Sequence, residues 1–313
     1  MTITQLKYVL AVAEHQNFTK AAAHVFVTQP TLSMQIQKLE EELSILIFDR
    51  SKKPIELTEV GEKIVNQARN IVNESERMQD VVDQEKGFIG GDFRLGIIPT
   101  VMPTLLPMFL KSFIKKYPKV HLKIEELTTA DIIIKLNAGH LDAAIAATPL
   151  VQEKIKERVL YFEPFVGYVP LNHRLNSKKY LDRSDLDIND ILLLEDGHCF
   201  RDGVINICKS LKHNAAIESF QVESGSFETL IKLSNEGFGM TLLPYLNTLD
   251  IPKEEQKKYL RYFNEPSPAR EVSLLYRKSE LKMQIIDSLY DIIAGIIRGV
   301  ITFQDVKIIS PLK

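Results

Sequence analysis

The chain has few cysteines, little net charge and no long apolar run. It contains two cysteines among 313 residues and carries a formal net charge of −2 at pH 7. Two cysteines exclude a disulfide-rich scaffold, and the charge excludes a globally basic nucleic-acid binder. No apolar run approaches the ~18 residues needed to span a bilayer. Residues 1–16 lack the basic start of a signal peptide, so we expect a cytoplasmic protein.

The length and composition predict a soluble protein of more than one domain. A chain of 313 residues exceeds one ordinary domain, and two or three are expected. Hydrophobic residues make up 45% of the chain and charged residues 26%, as in ordinary globular proteins. The residue pattern changes near residues 58 and 91, which divides the chain into three sections.

Both cysteines lie in one stretch, residues 192–211. The apolar run at 191–194 predicts a strand, Gly197 breaks it, and periodic apolar residues then predict a helix. Cys199 is therefore predicted on the strand-to-helix turn, with Cys208 pointing inward from the helix. Nine helical residues span roughly 13 Å, whereas a disulfide needs Cα atoms within about 7 Å. Joining the two cysteines would require local unfolding, so a disulfide between them is better suited to switching the structure than to stabilising it.

Two interpretations of these cysteines remain open from the residues alone. They are either unrelated buried thiols, which stay reduced in the cytosol, or a reactive pair. Neighbouring cations lower the pKa of a thiol, and His198 and Arg201 are candidates for that role. Asp202 is expected to pair with Arg201 or to lie at a helix end.

Residues 1–58 have the pattern of a small DNA-binding head. Helices are predicted over 3–16 and 20–27, with Thr19 capping the second, and a third begins at Thr28. Two short strands around 51–54 predict a wing with a basic tip. The expected DNA contacts are Thr28, Gln29, Pro30, Thr31, Ser33, Gln37, Lys38, Arg50, Lys52 and Lys53. The alternative is an ordinary three-helix bundle with a polar face.

Residues 59–90 predict a linker helix and a hinge. Apolar or small residues recur every three or four positions, at Val60, Ile64, Ala68, Ile71, Ser75, Met78 and Val82. This stripe could face a core, but we favour a coiled-coil seam between two chains because no partner helix follows. The glycines at 87, 90 and 91 predict the hinge.

Residues 91–313 predict an α/β regulatory domain with two lobes. Strands and helices alternate from residue 92, as in a parallel sheet, and a further strand is expected near 216–222. The chain is expected to cross between lobes near 165–170 and to return within 262–277. Lobe I would comprise about 91–164 and 266–300, and lobe II about 165–265. Thr100 and Thr129 follow strands at the cleft, where simple N-capping is the alternative role, and the fate of the tail at 300–313 stays open.

Several motifs together resemble the LysR-type transcriptional regulators, with a winged helix-turn-helix head and a two-lobed regulatory domain like periplasmic binding proteins. In the head these are FTKAA (18–22), VTQPTLS (27–33), IQKLE (36–40), FDR (48–50) and LTEVG (57–61). A narrower resemblance, to the peroxide-sensing branch of this family, rests on GIIPT (96–100), LEDGHCFRD (194–202), Cys208, FETL (227–230) and GMTLLP (239–244).

The resemblance implies that Cys199 reacts with hydrogen peroxide and Cys208 resolves it to a disulfide. Thr100, Thr129 and His198 would line the peroxide pocket, and Arg270 would support the reactive thiolate. It also implies control of antioxidant genes and binding to promoter DNA with an imperfect palindrome. The implied partners are three further copies in a homotetramer, RNA polymerase and a glutaredoxin-type reductant; no metal or cofactor is implied.

Three other functions are compatible with parts of the sequence. A regulator that binds a stable metabolite in the cleft would carry structural cysteines. A thiol peroxidase would turn over peroxide continuously, which the DNA-binding head argues against. A transport-binding protein fits the two-lobed pattern but neither the attached head nor the missing signal peptide.

Overall fold

A computed structural model of the chain describes residues 1–85, 90–208, 224–301 and 305–311. The chain divides into two compact units, Met1–Phe88 and Ile89–Lys313. The long helix predicted as a linker groups with the N-terminal head.

The first unit is a helical head with a two-stranded wing. Its elements are α1 (Ile3–His15), α2 (Phe18–His24), α3 (Gln29–Leu43), β1 (Phe48–Asp49), β2 (Glu56–Leu57) and α4 (Glu59–Glu85). The strands pair in antiparallel register, as the predicted wing requires. Thr28 caps α3 as expected, with Thr31 N donating to its hydroxyl. The predicted cap at Thr19 is wrong, because Asn17 Oδ1 accepts from Lys20 N at 3.0 Å and α2 begins earlier.

Part of the apolar stripe of helix α4 packs onto the head. Ala68 is buried in the head core, and Ile64 and Ile71 pack against that core. Helix α1 packs against α4, so these positions face the head core, and the seam between two chains stays a prediction. Met78 is 72% exposed and Val82 is 42% exposed, so the later part of the stripe lies outside the core.

The second unit contains a curved mixed sheet with helices packed on it. Its elements are β3 (Gly91–Ile97), α5 (Met102–Lys116), β4 (Val120–Glu126), α6 (Thr129–Asn137), β5 (Ala143–Thr148), β6 (Ile155–Tyr168), β7 (Tyr180–Leu181), β8 (Ile191–Leu192), α7 (Cys199–Ile207), α8 (Phe227–Asn235), β9 (Met240–Pro244), α9 (Tyr245–Thr248), α10 (Lys253–Tyr259), β10 (Leu260–Phe263), β11 (Ser267–Arg277), α11 (Met283–Arg298) and β12 (Val306–Ile308). The main strand order is β4-β3-β5-β11-β6-β10-β7.

Two long strands, β6 and β11, join two separate cores. Leu160 and Tyr161 of β6 belong to the first core, whereas Phe165 and Val166 belong to the second. The end of β6 pairs with β9 and β10, and its beginning pairs with β11. Strand β6 therefore passes from the first core to the second between Tyr161 and Phe165.

Parts of the regulatory unit differ from the prediction. Strands β3, β4 and β5 are parallel, but β11 runs antiparallel to β5 and β6, so the sheet is mixed rather than parallel. The tail is docked, since β12 pairs with β11 and Ile309 is buried in the second core. The strand predicted near 216–222 lies outside the described residues.

Candidate redox site and DNA-contact face

A buried ion pair joins the two strands that cross between the lobes. Arg270 of β11 donates through Nε and Nη2 to Glu163 Oε2 of β6, at 2.8 and 2.7 Å. The other carboxylate oxygen of Glu163 accepts from Leu246 N, at the start of α9, at 2.9 Å. Both charged side chains are almost fully buried, at 4% and 1% exposure. The pair fixes the guanidinium at the junction of the lobes.

Arg270 also holds Thr100, the threonine that ends the first βα loop. Arg270 Nη1 donates to Thr100 Oγ1 at 2.8 Å, and Nη2 donates to the Thr100 carbonyl at 3.1 Å. Because the hydroxyl oxygen already accepts from a cation, its own proton is free to be donated elsewhere. Arg270 and Thr100, both predicted as pocket residues, are thus brought together by direct hydrogen bonds.

Cys199 is the first residue of α7 and faces the other lobe. Its Sγ lies 2.9 Å from Thr129 Oγ1, and its side chain packs against the first core. Thr129 is the first residue of α6, but the cap is Thr128, whose hydroxyl accepts from Asp131 N. Simple N-capping therefore does not account for Thr129, and its hydroxyl is directed to the thiol.

Opposing influences act on the Cys199 thiol. Burial raises its pKa above the ordinary value, and the Asp202 carboxylate acts in the same direction. The Thr129 hydroxyl and the Arg270 guanidinium lower the pKa but do not cancel the effect of burial. The guanidinium carbon of Arg270 lies 5.2 Å from the ring centre of Phe200, the residue after Cys199. The resting structure therefore favours the thiol, with two groups placed to support a thiolate.

The two basic residues nearest in sequence to Cys199, His198 and Arg201, have other partners. Arg201 forms an ion pair with Asp196 at 2.8 Å and donates to the Leu194 carbonyl at 2.9 Å. Arg201 therefore neither supports the thiol nor pairs with Asp202, because the turn around Gly197 brings Asp196 to it. Asp202 lies in the first turn of α7, which is the other position expected for it. The ring of His198, which is the N-cap of α7, lies 3.4 Å from Glu195 Oε1. This is the hydrogen bond that the structure shows for His198.

Cys208 lies at the opposite end of α7, as its C-cap, and is buried in the second core. Burial raises the pKa of its thiol to about 11, and the Asp190 and Asp187 carboxylates add to the rise. Both cysteines are free thiols. A helix of nine residues separates them by roughly 13 Å along its axis, at ~1.5 Å per residue. They cannot form a disulfide while α7 is intact.

The predicted DNA-contact residues form the outer face of α3 and the wing. Leu32, Ile36 and Leu39 turn the other side of α3 into the head core. Ser33 is half-buried, and the remaining predicted contacts are exposed: Thr28, Gln29, Pro30, Thr31, Gln37, Lys38, Arg50, Lys52 and Lys53. Polar side chains on an exposed helix of this kind are suited to base edges, and basic residues at a wing to phosphates.

Arg50 has a structural partner in addition to its exposed surface. Its guanidinium donates to Glu40 Oε2 at 2.8 Å and lies 5.1 Å from the ring centre of Phe18. The other oxygen of Glu40, which is buried, accepts from Ile47 N and Phe48 N at 2.7 and 3.2 Å. Glu40 therefore anchors the start of the wing to α3.

Comparisons with known proteins agree with this architecture. Residues 3–62 match the model of the bacterial regulatory helix-turn-helix protein, lysR family, and residues 86–295 match the LysR substrate binding domain. The chain belongs to the LysR family. A relative named hydrogen peroxide-inducible genes activator, from Pectobacterium carotovorum, is 33% identical over 88% of this chain and 90% of its own length. The DNA-binding transcriptional dual regulator OxyR of Escherichia coli K12 has the same identity and coverage.

Solved structures of OxyR proteins share the whole fold. Full-length OxyR from Pseudomonas aeruginosa, with an aspartate in place of a cysteine, covers 94% of this chain and 98% of its own, with 34% identity and a TM-score of 0.75. A peroxide-bound cysteine-to-serine mutant of OxyR from Corynebacterium glutamicum covers 98% of both chains, with 26% identity and a TM-score of 0.63. Within the LysR family, the chain therefore falls in the OxyR branch.

Sequence reasoning missed Glu163 and Phe200, which fix the position of Arg270. Glu163 stands in the otherwise apolar run LYFEPFVGY of β6, and a carboxylate in such a run indicates a buried partner. A lone carboxylate in an apolar strand predicts a cationic partner but does not identify it, because Arg270 lies 107 residues further along the chain.

None of the helices described is both long enough and apolar enough to cross a membrane.

Proposed function

We propose that this chain is a hydrogen-peroxide-sensing transcriptional regulator, switched by a reversible disulfide between Cys199 and Cys208. The observation that carries the proposal is the placement of the two thiols at opposite ends of one short helix. Cys199 packs against the first core, and Cys208 lies within the second. Linking them requires α7 to come apart, so the redox state of the pair is coupled to the shape of the regulatory unit.

The first chemical step is oxidation of Cys199 by peroxide. The sulfur attacks one peroxide oxygen, the O–O bond breaks, and the other oxygen leaves as water after it takes up a proton. Thr129, 2.9 Å from the sulfur, donates to the developing thiolate, and Arg270 favours its negative charge. Thr100, oriented by Arg270, donates to the peroxide, and His198 borders the pocket. The product is a sulfenic acid on Cys199.

The second step is attack of Cys208 on this sulfenic acid, which forms the disulfide and releases a second water molecule. In its buried position Cys208 is a poor nucleophile, because its pKa of about 11 keeps it protonated at neutral pH. Unwinding of α7 brings the sulfur atoms within bonding distance and takes Cys208 away from Asp190 and Asp187. Release from the core and activation of the thiol therefore occur together.

Unwinding α7 removes apolar contacts that the disulfide must offset. Phe200, Val204 and Ile207 are buried in the second core with Cys208. Losing a large buried side chain from a core costs about 2–5 kcal/mol. The oxidised form is therefore held mainly by the covalent bond, and a dithiol reductant of the glutaredoxin type returns the protein to its resting state.

The head then converts this change into a change in DNA binding. In the proposed assembly, α3 and the wing of each copy read one half-site of an imperfect palindrome in promoter DNA. Four copies form a homotetramer in the cytoplasm, and the altered regulatory units change the spacing of the heads and their engagement with RNA polymerase. The thiol is consumed once per reduction cycle, so the protein acts as a switch rather than as an enzyme.

The test is to treat the reduced protein with one equivalent of hydrogen peroxide, block the remaining thiols with an alkylating agent, and map the peptides by mass. We expect an intramolecular link between Cys199 and Cys208 within seconds. The matched control, Cys208→Ser, is expected to stop at a sulfenic acid on Cys199. Two alkylated thiols in the untreated and treated protein alike would contradict the proposal and favour a regulator that binds a metabolite.

A further inference from the structure

Three side chains with metal-binding atoms lie close together in the DNA-binding head. They are Glu14 and His15 at the end of α1 and His24 at the end of α2. One ligand atom of each lies within 4.8 Å of those of the other two. The imidazole rings of His15 and His24 have their centres 4.7 Å apart. We infer that this cluster is a binding site for a divalent transition-metal ion of the zinc type.

The ligand types fit such an ion. Zinc binds imidazole nitrogen and carboxylate oxygen at about 2.0–2.2 Å, and three protein ligands leave its fourth position to water. Tetrahedral ligands at those distances lie about 3.3 Å apart, so the present spacing requires only small side-chain rotations. Magnesium and calcium prefer oxygen ligands, so two imidazoles disfavour them.

A second observation concerns the Nε2 atom of His15. This nitrogen is buried and has no hydrogen-bond partner among the described residues. A buried polar atom without a partner carries a free-energy cost that a metal–nitrogen bond would remove. Glu14 and His24 are exposed, so an ion from solvent can reach the cluster at these two residues.

The backbone around the cluster also favours a cation. His15 and His24 are the last residues of their helices, where free carbonyl groups carry partial negative charge. An ion bound there would tie the end of α1 to the end of α2, the helix that precedes α3 in the helix-turn-helix. The expected consequence is a head that is more stable to unfolding when the metal is bound.

The test uses the full-length chain without an affinity tag, carrying Cys199→Ser and Cys208→Ser so that thiolates cannot bind the metal. Zinc chloride is titrated calorimetrically, and thermal unfolding is followed with and without zinc. We expect one ion per chain and a higher melting temperature. His24→Ala and His15→Ala are each expected to weaken binding about a hundredfold or more and to abolish the melting shift. Magnesium is expected not to compete.

The matched control is His121→Ala, which removes an exposed histidine that pairs with Asp92 in the other unit. It is expected to bind zinc as the parent does. Absence of zinc binding by the parent, or binding that survives both head substitutions, would overturn the inference. A cobalt titration of the wild-type chain keeps the test valid if the parent with both cysteines replaced folds poorly. Cobalt–thiolate bonds give an ultraviolet charge-transfer band, whereas imidazole and carboxylate ligands do not. The spectrum therefore shows whether the cysteines take part in binding.

Discussion

The hydroxyl of Thr129 lies 2.9 Å from the sulfur of Cys199, the proposed reactive thiol. A hydrogen bond to a charged group contributes about 1.5–3 kcal/mol, so Thr129→Val is expected to slow oxidation of Cys199 roughly 10- to 100-fold. Stopped-flow measurement of thiol loss under excess peroxide gives the rate. Thr129→Ser keeps the hydroxyl and is the control, expected to stay close to wild type. Equal rates for the valine and serine variants would remove Thr129 from the mechanism.

The raised pKa of the Cys199 thiol predicts how its reaction depends on pH. Because burial disfavours the thiolate, the reactive fraction at neutral pH is small and grows as the pH rises towards the pKa. The oxidation rate in the Cys208→Ser variant is therefore expected to rise roughly tenfold per pH unit between about pH 6 and 8. A rate that levels off below neutral pH would show that the thiolate is already formed and that Thr129 and Arg270 outweigh burial.

The family resemblance named the candidate pocket residues but not the groups that hold them in place. Cys199, Thr100, Thr129 and Arg270 could be named from that resemblance. The ion pairs could not, because the partner of Arg201 depends on how the turn at Gly197 directs Asp196. The partner of Arg270 likewise depends on the pairing of two strands that are distant in sequence.

At the scale of elements, the pair between Glu163 and Arg270 couples β6 to β11, where the chain passes between the lobes. Arg270→Gln leaves the buried Glu163 carboxylate without its cation, and breaking a buried ion pair typically costs about 3–5 kcal/mol. The free energy of unfolding, from urea titration of the reduced protein, is expected to fall by about that amount. In the double variant Glu163→Gln with Arg270→Gln the loss should be smaller, because no charge is left unpaired. Equal losses would mean that the unpaired Glu163 carboxylate is not the cause.

Helix periodicity predicted where helices form, but it did not predict what packs against them. The stripe of Val204, Ile207 and Cys208 predicted α7, which the structure confirms as the helix between the two thiols. The stripe along α4 shows a limit of the method, because periodicity indicates that a face is buried but not what covers it. The antiparallel direction of β11 is likewise set by the crossing between lobes and has no local signal.

At the scale of the whole molecule, the wing lysines are expected to supply phosphate contacts and α3 to supply base contacts. Lys53→Ala should weaken binding to all DNA sequences similarly and lower the salt dependence by about one counterion. Gln29→Ala should instead reduce discrimination between the target and altered sites, by about 1–3 kcal/mol. Fluorescence anisotropy over a range of salt concentrations separates the two effects. The control is Lys63→Ala, which changes an exposed lysine of α4 that pairs with Glu59. Identical DNA binding by all three variants would contradict the assignment of α3 and the wing as the DNA-contact face.

We expect disulfide formation to unwind α7. Hydrogen–deuterium exchange of the backbone amides of residues 200–208, measured in the reduced and the oxidised full-length protein, tests this unwinding. Exchange should be slow in the reduced protein and fast after oxidation, and it should stay slow in peroxide-treated Cys208→Ser. Slow exchange in a protein proven to contain the Cys199–Cys208 link would show that α7 stays intact and that the proposed switch is wrong.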